Sequence, residues 1–194
     1  MSTPPIRILL LSGSLSNPSH THTLIENLAF LLREQGEIAH VWDLYQIPLP
    51  TPNLMYYRNP QAHESSTVRL LAHAADQADA FVWGTPVYHN SFSGILKNTL
   101  DNLHADLFHH KPVSLISHGR ERTAGQPCDQ LRIVAQSLLA TALPTQVVTS
   151  DADFGLYRGS YILISSRIEK LLIRMADELV EYSLLMRQLR ESSL

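Results

Sequence analysis

The hydrophobic positions of the chain form short apolar runs that alternate with longer segments of helical spacing. The first run is nearly continuous, as expected for a strand that is covered on both faces. The run IRILLLSG at 6–13 is the clearest case, because a glycine ends it. The predicted strands are 6–13, 38–44, 80–84, 111–117 and 145–150.

The segments between these runs repeat their apolar residues every three or four positions, which is the spacing of one helical face. After the first strand, Thr23 and Glu26 have the spacing of a capping box, which predicts a helix that begins there and ends near Gly36. The same spacing recurs at Ser166 and Glu169. The predicted helices after the first lie near 64–78, through 95–103, over 128–141 and over 165–190, the last being amphipathic.

Strands and helices alternate along the whole chain, with no internal repeat and no linker. This alternation predicts the α/β class: a five-stranded parallel sheet with helices on both faces, in three layers. The length of 194 residues suits one core, so 1–194 is interpreted as a single domain with a loose leader at 1–5. The Pro- and Tyr-rich segment 45–63 and the connection before the last helix are expected to be irregular.

Composition excludes several classes of function. The net charge of −3 gives no general attraction to nucleic acid or to anionic membranes. No apolar segment is long enough to cross a bilayer, and the N-terminal run is too short for a signal peptide. The one cysteine, Cys128, suits a reducing compartment, so a cytoplasmic location is expected. The ten histidines lack metal-site spacing with a third ligand, so no metal is expected.

Three predicted loops carry unusual chemistry at the carboxyl ends of strands. In an open parallel sheet, ligands bind beyond these ends, at the point where the strand order reverses. The loops are 13–22, 85–92 and 118–127. A strand order of 2-1-3-4-5 brings all three together, and this order is therefore expected.

The first loop, GSLSNPSHTHT, offers hydroxyl groups from Ser14, Ser16, Ser19 and Thr21 and then enters a helix. Free N–H groups and partial positive charge at a helix N-terminus favour an anion, and neutral hydroxyl donors suit a phosphate monoester. The lysine of GxxxxGK[ST] and the glycines of GxGxxG are both missing, which disfavours a triphosphate loop and a classical dinucleotide fold. The alternative is a capped Ser/Thr-rich turn that binds no ligand.

The second loop follows the third strand and contains Pro86, Tyr88, His89 and Asn90. Pro86 bends the backbone, and the amide groups after it are expected to be free to point outward. Tyr88 can stack on a planar ring, while Asn90 or His89 can pair with the polar edge of a heterocycle. The alternative is a turn in which Tyr88 packs in the core.

The third loop follows the fourth strand, and its Gly119 and Gly125 allow close backbone approach. Arg120 and Arg122 are suited to offset negative charge on a reduced heterocycle or to bind a phosphate. The alternative is that both arginines are ordinary surface residues. Together the three loops predict a pocket with a phosphate at one end and a flat polar heterocycle at the other, which describes flavin mononucleotide (FMN).

Three stretches resemble the NADPH-dependent FMN reductase family: LLSGSLSNPSHTHTLIENL, GTPVYHNSFSGILKNTLDNL, and KPVSLIS with the glycine-containing loop after it. The most specific part is the pattern PVY-x-x-S-x-SG-x-LKN-x-LD at 86–101, and a looser resemblance extends from about residue 6 to 155. The resemblance implies a flavodoxin-like fold, noncovalently bound FMN, NADPH or NADH as cosubstrate, and a homodimer or homotetramer. It implies no catalytic side chain, because the flavin carries the hydride chemistry.

By position, the resemblance also implies the residues of the cofactor site. The phosphate would be held by Ser14, Ser16, His20 and Thr21. The isoalloxazine would lie against Pro86, Val87, Tyr88, His89 and Asn90, with His118, Gly119 and Arg120 closing its far side. Many members carry an arginine in the first loop where this chain has Ser16 and His20, which leaves open whether FMN is a bound cofactor or a diffusing substrate. After the fourth strand, Arg120 replaces a second glycine that many members of the family carry.

The expected activity is that of an NAD(P)H-dependent FMN reductase, which transfers hydride from the nicotinamide to FMN and the electrons onward to a second acceptor. A quinone, azo or metal-ion reductase on the same scaffold is the first alternative, and a flavodoxin-type electron carrier is the second. The intact pattern at 86–101 disfavours a regulatory module without a cofactor. The segments 45–63 and 149–161 are expected at a subunit interface near the flavin.

Overall fold

The computed structural model describes residues 4–120 and 124–192. A parallel sheet of five strands lies at the centre of these residues, in the order β2-β1-β3-β4-β5. This order and the parallel pairing confirm the prediction from the sequence. The strands are β1 (Arg7–Ser12), β2 (Ile38–Asp43), β3 (Ala80–Pro86), β4 (Pro112–His118) and β5 (Thr141–Thr149).

Helices cover both faces of the sheet, because successive strand residues point to opposite sides. In β1, for example, Leu9 and Leu11 pack into one core, while Ile8 and Leu10 pack into the other, and all four are buried. One face is covered by α1 (His20–Glu34) and α5 (Ser166–Ser192), and the other by α2 (Ser66–Gln77), α3 (Gly94–Asp101) and α4 (Gln126–Ser137). The predicted α/β, flavodoxin-like architecture is therefore confirmed.

The first helix begins earlier than its predicted capping box. Ser19 is the N-cap of α1, and its hydroxyl oxygen accepts a hydrogen bond from the His22 amide at 3.1 Å. Thr23 lies inside the helix and donates its hydroxyl to the Ser19 carbonyl at 2.9 Å. The prediction that Thr23 and Glu26 form the capping box is therefore wrong, because Ser19 already satisfies an N-terminal amide of the helix.

The second predicted capping box is wrong for a similar reason. Ser166 is the first residue of α5, and the Glu169 amide donates to the Ser165 carbonyl at 3.0 Å. The helix predicted over 128–141 also differs, since α4 begins at Gln126 and ends at Ser137, and β5 already begins at Thr141.

The connection between β5 and α5 is more regular than predicted. After a short 3₁₀ helix, Asp151–Asp153, it forms an antiparallel hairpin of β6 (Phe154–Tyr157) and β7 (Ser160–Leu163). Arg158 and Gly159 connect the two strands, with φ values of 48° and 82°. Two central residues with positive φ match the tight turns that join hairpin strands. The segment 45–63, in contrast, contains only the 3₁₀ helices Leu54–Tyr56 and Pro60–Ala62, as expected for an irregular connection.

The amino ends of the strands are fixed to the last helix by one carboxylate. Asp79, just before β3, accepts hydrogen bonds from Arg187 at 2.6 Å and from Arg190 at 2.9 Å. These bonds hold the C-terminal part of α5 at the amino ends of the strands, and the predicted loops lie at the opposite, carboxyl ends. No helix among the described residues is both long enough and apolar enough to span a bilayer.

Candidate functional site

A pocket of about 370 Å³ lies beyond the carboxyl ends of β1, β3 and β4. This volume falls in the range of small-molecule and cofactor sites, about 300–1,000 Å³. The three predicted loops converge on it, and the segment after β5 adds a fourth side. It is lined by Ser14, Ser16, Pro18, Ser19, His20, Thr21, Pro86, Val87, Tyr88, His118, Gly119, Arg120, Asp151 and Tyr161.

The first two loops are joined to each other below the pocket. The Gly13 amide donates to the Gly84 carbonyl at 2.8 Å, and the Ser93 hydroxyl donates to the Gly13 carbonyl at 2.6 Å. The Ser93 amide in turn donates to the hydroxyl oxygen of Thr85 at 2.9 Å. A Cβ atom on Gly13 would lie 2.7 Å from the Gly84 oxygen, so only glycine allows this approach. The loops are therefore held in a fixed relation.

The residues predicted to hold a phosphate form one end of the pocket. Ser14, Ser16, His20 and Thr21 all line this end, at the N-terminus of α1. The first turn of α1 contains no acidic residue of its own, although Asp151 also lines the pocket. Hydroxyl groups beside a helix N-terminus suit an anion. Binding of a phosphate by these four residues stays a prediction.

The His20 ring lies in an aromatic stack at this end. Its centroid is 3.6 Å from that of Tyr161 and 4.1 Å from that of His118, with interplanar angles of 21° and 22°. Burial lowers the pKa of His20, although the charge of Asp151 opposes this effect. Burial and the neighbouring His20 lower the pKa of His118 to about 4, against the opposing effect of Asp151. His118 is therefore neutral at neutral pH.

Both ring nitrogens of His118 have partners. Nδ1 lies 3.1 Å from the Thr149 hydroxyl, and Nε2 lies 3.2 Å from a carboxylate oxygen of Asp151. An ionised carboxylate can only accept a hydrogen bond, so the proton of the neutral ring belongs on Nε2 and Nδ1 accepts from Thr149. This arrangement fixes His118 as a donor to Asp151.

These contacts also bring together three possible metal ligands, His20, His118 and Asp151, whose ligand atoms lie within 4.8 Å of one another. The spacing of histidines along the chain does not reveal this group. Its members come from α1, from β4 and from the segment after β5, and no motif links them.

Pro86, Val87 and Tyr88, which were predicted to contact the ring, also line the pocket. The side chain of Tyr88 is 42% exposed, so the alternative that it packs in the core is wrong. The expectation of free amides after Pro86 is also wrong at two positions. The Val87 amide donates to the His118 carbonyl at 2.8 Å, and the Tyr88 amide donates to the Ser91 carbonyl at 2.9 Å. These bonds stabilise the rim and leave neither amide for a ligand.

The structure does not bring His89 and Asn90 into the pocket lining. Both lie on an exposed tight turn between Tyr88 and Ser91, with φ values of 50° and 60°. The Asn90 carbonyl accepts a hydrogen bond from Gln130 of α4 at 3.1 Å, which holds the turn toward that helix. Contact of these two side chains with a ring edge stays a prediction that the lining does not support.

Gly119 closes the far wall of the pocket. A Cβ atom at this position would lie 2.9 Å from both the Ala124 Cβ and the Val87 Cγ2, so a side chain would displace the wall. Gly125, predicted for close approach, instead precedes α4 as its N-cap and does not line the pocket. Arg120 lies at the exposed lip, and Arg122 falls outside the described residues.

The donor set of the pocket fits FMN. Hydroxyl groups and a helix N-terminus at one end suit the phosphate, and Gly119 allows close packing against Val87 in the opposite wall. A model of the family described as NADPH-dependent FMN reductase matches residues 6–154. The chain belongs to this family. As a member, the protein is an oxidoreductase that uses FMN and NADPH.

Known relatives agree with this membership. The FMN-dependent NADPH-azoreductase of Staphylococcus saprophyticus is 34% identical over 175 residues, which cover 90% of this chain and 93% of that protein. The azoreductase of Staphylococcus aureus has the same identity over the same coverage.

Solved structures share the fold. The flavoenzyme NAD(P)H:(acceptor) oxidoreductase FerB from Paracoccus denitrificans has a TM-score of 0.74 at 21% identity, over 92% of this chain and 97% of that chain. An NADH:FMN oxidoreductase in its apo form has a TM-score of 0.71 at 21% identity, over 91% of this chain and 88% of that chain.

Much of the pattern that carries the family resemblance builds the scaffold beneath the pocket. Ser93 caps α3 and binds the Gly13 carbonyl, as described above. Asn98 donates to the carbonyls of Leu49 and Pro50 at 3.1 and 3.0 Å, which fixes the start of the irregular segment. Ser93 and Asn98 thus hold these segments in place, and neither residue lines the pocket.

Three lining residues were not among the candidates named from the sequence: Pro18, Asp151 and Tyr161. A signal existed for the last two. Strand β5 pairs with β4 so that Thr149 lies opposite His118, and the segment after Thr149 must therefore leave the sheet beside the pocket.

Proposed function

We propose that the protein is an NAD(P)H-dependent FMN reductase that passes the electrons from bound FMN to a second small acceptor. The observation that supports this most strongly is the convergence of loops from β1, β3 and β4 on one pocket with an anion-suited end and a glycine wall. FMN supplies the redox chemistry when it is bound, since it can accept a hydride and release the electrons again.

The protein's own residues bind and orient the reactants. The hydroxyl groups of Ser16 and Thr21 donate to the phosphate, together with the amides of the first turn of α1. Val87 and Gly119 form the wall against which the ring lies, and Tyr88 remains exposed at the rim, where a second planar molecule can approach. The guanidinium of Arg120, at the lip of the pocket, offsets negative charge on the reduced ring.

We propose an azo compound as the acceptor, because relatives with 34% identity are named FMN-dependent NADPH-azoreductases. The reaction balances as NADPH, one proton and the acceptor giving NADP⁺ and the acceptor with two added hydrogens. Nothing in this balance requires a proton donor from the protein, since the open pocket admits water. Quinones and chelated metal ions remain the competing acceptors that the assay below distinguishes.

We also propose a homodimer or homotetramer, with the segments 45–63 and 149–161 at the interface near the flavin. Leu54 and Met55 are 85% and 84% exposed, and Ile133 is 69% exposed. Leu54 and Ile133 border a mostly apolar groove. Apolar side chains clustered at a surface are typical of an interface.

Acceptor kinetics test the proposed reaction. Purified protein is mixed anaerobically with FMN and either NADPH or NADH, and nicotinamide oxidation is followed with an azo dye, a quinone or a ferric chelate as acceptor. Steady oxidation with the azo dye supports the proposal, and faster oxidation with another acceptor reassigns the substrate. Flavin binding without nicotinamide oxidation would indicate an electron carrier instead, and absence of flavin binding would exclude both functions.

A further inference from the structure

The rim of the pocket at Tyr88 belongs to a tight turn that two backbone hydrogen bonds close. The Tyr88 amide donates to the Ser91 carbonyl at 2.9 Å, and the Ser91 amide donates to the Tyr88 carbonyl at 3.0 Å. His89 and Asn90 lie between these two residues, at the exposed tip of the turn. The position of Tyr88 at the rim is therefore tied to the position of Ser91.

The turn lacks the residue type that stabilises this backbone geometry by itself. His89 and Asn90 have φ values of 50° and 60°. Tight turns with positive φ at both central residues favour glycine, and here neither central residue is a glycine. Other residue types keep this conformation only where surrounding contacts hold them in it. A contact from outside the turn is therefore expected.

Gln130 of α4 makes this contact. Its Oε1 accepts a hydrogen bond from the Ser91 hydroxyl at 2.5 Å, and its Nε2 donates to the Asn90 carbonyl at 3.1 Å. A hydroxyl group can donate and a carbonyl oxygen can only accept, so each end of the amide faces a complementary group. One side chain thus binds two consecutive residues of the turn.

The helix that carries Gln130 is a firm support. Cys128 and Leu131, on either side of Gln130 in the sequence, are both fully buried in the core. Gln130 itself is half-buried and does not line the pocket. Groups on packed helices hold a site more precisely than groups on loops do. Gln130 can therefore fix the turn without touching the contents of the pocket.

We propose that Gln130 is a positioning residue that holds Tyr88 at the rim, where the Tyr88 ring orients a planar acceptor. This inference rests on the flavin site proposed above. Tyr88 lines the pocket with a side chain that is 42% exposed, so one ring face is available for stacking on an aromatic acceptor. Val87 is held separately, through its amide bond to the His118 carbonyl. Loss of the Gln130 contact therefore loosens Tyr88 and leaves the Val87 wall in place.

Acceptor kinetics of Gln130→Ala test this role. At saturating FMN and NADPH, we expect the KM for the better planar acceptor, an azo dye or a quinone, to rise about threefold to tenfold. The kcat should change little, since the lost contact orients the acceptor and does not take part in the chemistry. Ferricyanide takes up single electrons and has no aromatic ring, so its KM should stay at the wild-type value.

Two controls separate this role from a general structural effect. Gln136→Ala makes the same change at an exposed position of the same helix, and it should match the wild type with both kinds of acceptor. The dissociation constant for FMN, measured by quenching of flavin fluorescence, should be the same in the wild type and in Gln130→Ala.

Ser91→Ala gives a second, independent readout. It removes a hydrogen bond that Gln130→Ala also removes, so the effects of the two variants on the KM for the planar acceptor should not add in the double variant.

Three results would overturn the inference and leave the flavin reductase intact: an unchanged KM for the planar acceptor in Gln130→Ala, an equal rise in the KM for ferricyanide, or additive effects in the double variant. Wild-type turnover with ferricyanide but with no planar acceptor would overturn it as well. Absence of FMN-dependent NADPH oxidation with every acceptor would overturn both this inference and the proposed function.

Discussion

The imidazole ring of His20 lies nearly parallel to the phenol ring of Tyr161, with the ring centroids 3.6 Å apart. This contact joins the first residue of α1 to the β6–β7 hairpin, and His118 of β4 completes the stack on the other side. Segments that are far apart in sequence thus fix the ring of His20 at the end of the pocket beside α1. A pre-organised binding group loses less entropy when its ligand arrives.

Tyr161 is expected to act through its ring. Tyr161→Ala removes one side of the stack, and a stacked aromatic pair contributes about 0.5–1.5 kcal/mol beyond its buried area. We therefore expect the dissociation constant for FMN to rise about threefold to tenfold, measured by quenching of flavin fluorescence. Tyr161→Phe keeps the ring and should bind FMN as the wild type does. Weak binding by the phenylalanine variant would mean that the hydroxyl, rather than the stack, matters.

Gly119 is expected to tolerate no side chain. In Gly119→Ala the new methyl group lies 2.9 Å from Val87 and from Ala124, and relief of such overpacking costs about 1–3 kcal/mol. Displacement of the wall should weaken FMN binding about tenfold. Gly94→Ala is the matched control, because a Cβ there meets nothing within 4 Å. Equal FMN affinities of the two variants would show that the ring does not lie against this wall.

Thr21 is expected to discriminate FMN from riboflavin. Thr21→Val keeps the shape of a side chain that is 1% exposed and removes its hydroxyl. A hydrogen bond to a charged group contributes about 1.5–3 kcal/mol, so FMN affinity should fall at least about tenfold while riboflavin affinity is unchanged. Thr23→Val controls for general effects on the helix, because the Thr23 hydroxyl binds the Ser19 carbonyl instead. A parallel loss for both flavins would argue against a phosphate contact.

Lys111 is expected to make the free energy of unfolding rise with pH in the alkaline range. Its Nζ donates to the carbonyls of Ala75 and Asp76 at 3.0 Å each, and burial is the main cause that lowers its pKa to about 8 from 10.5. Between these values the unfolded chain binds more protons than the folded protein, so the free energy of unfolding rises with pH.

Lys111→Met should remove this rise. The difference in unfolding free energy between wild type and variant, measured by urea denaturation, is expected to change by at most about 1.4 kcal/mol per pH unit across this window. A difference that stays constant with pH would show that Lys111 keeps its ordinary pKa.

The sheet and the position of its pocket could be predicted because both follow from patterns that are local in sequence. The near-continuous run of β1 indicates burial on both faces, and polar loops such as the one after Gly13 mark the carboxyl ends. A parallel arrangement then places these ends at one edge. The pattern at 86–101 adds the family, and two of its residues, Ser93 and Asn98, hold neighbouring segments in place.

The remaining features depend on distances and dihedral angles that no local pattern gives. His89 and Asn90 turn away from the pocket because both have positive φ, which shapes the turn between Tyr88 and Ser91. Asp151 and Tyr161 line the pocket only because of the β4–β5 register and the hairpin after it. The choice of Ser19 over Thr23 as helix cap was also open, since either residue type can cap a helix.

The dependence of NADPH oxidation on added FMN tests the flavin reductase most directly. With flavin-free protein and a constant concentration of acceptor, we expect a rate that is zero without FMN, rises with its concentration and then saturates. Gly119→Ala should need more FMN to reach half of the maximal rate, while Gly94→Ala should match the wild type. A rate that is unaffected by FMN, or that stays at zero when FMN is in large excess, would contradict the assignment of this pocket as a flavin site.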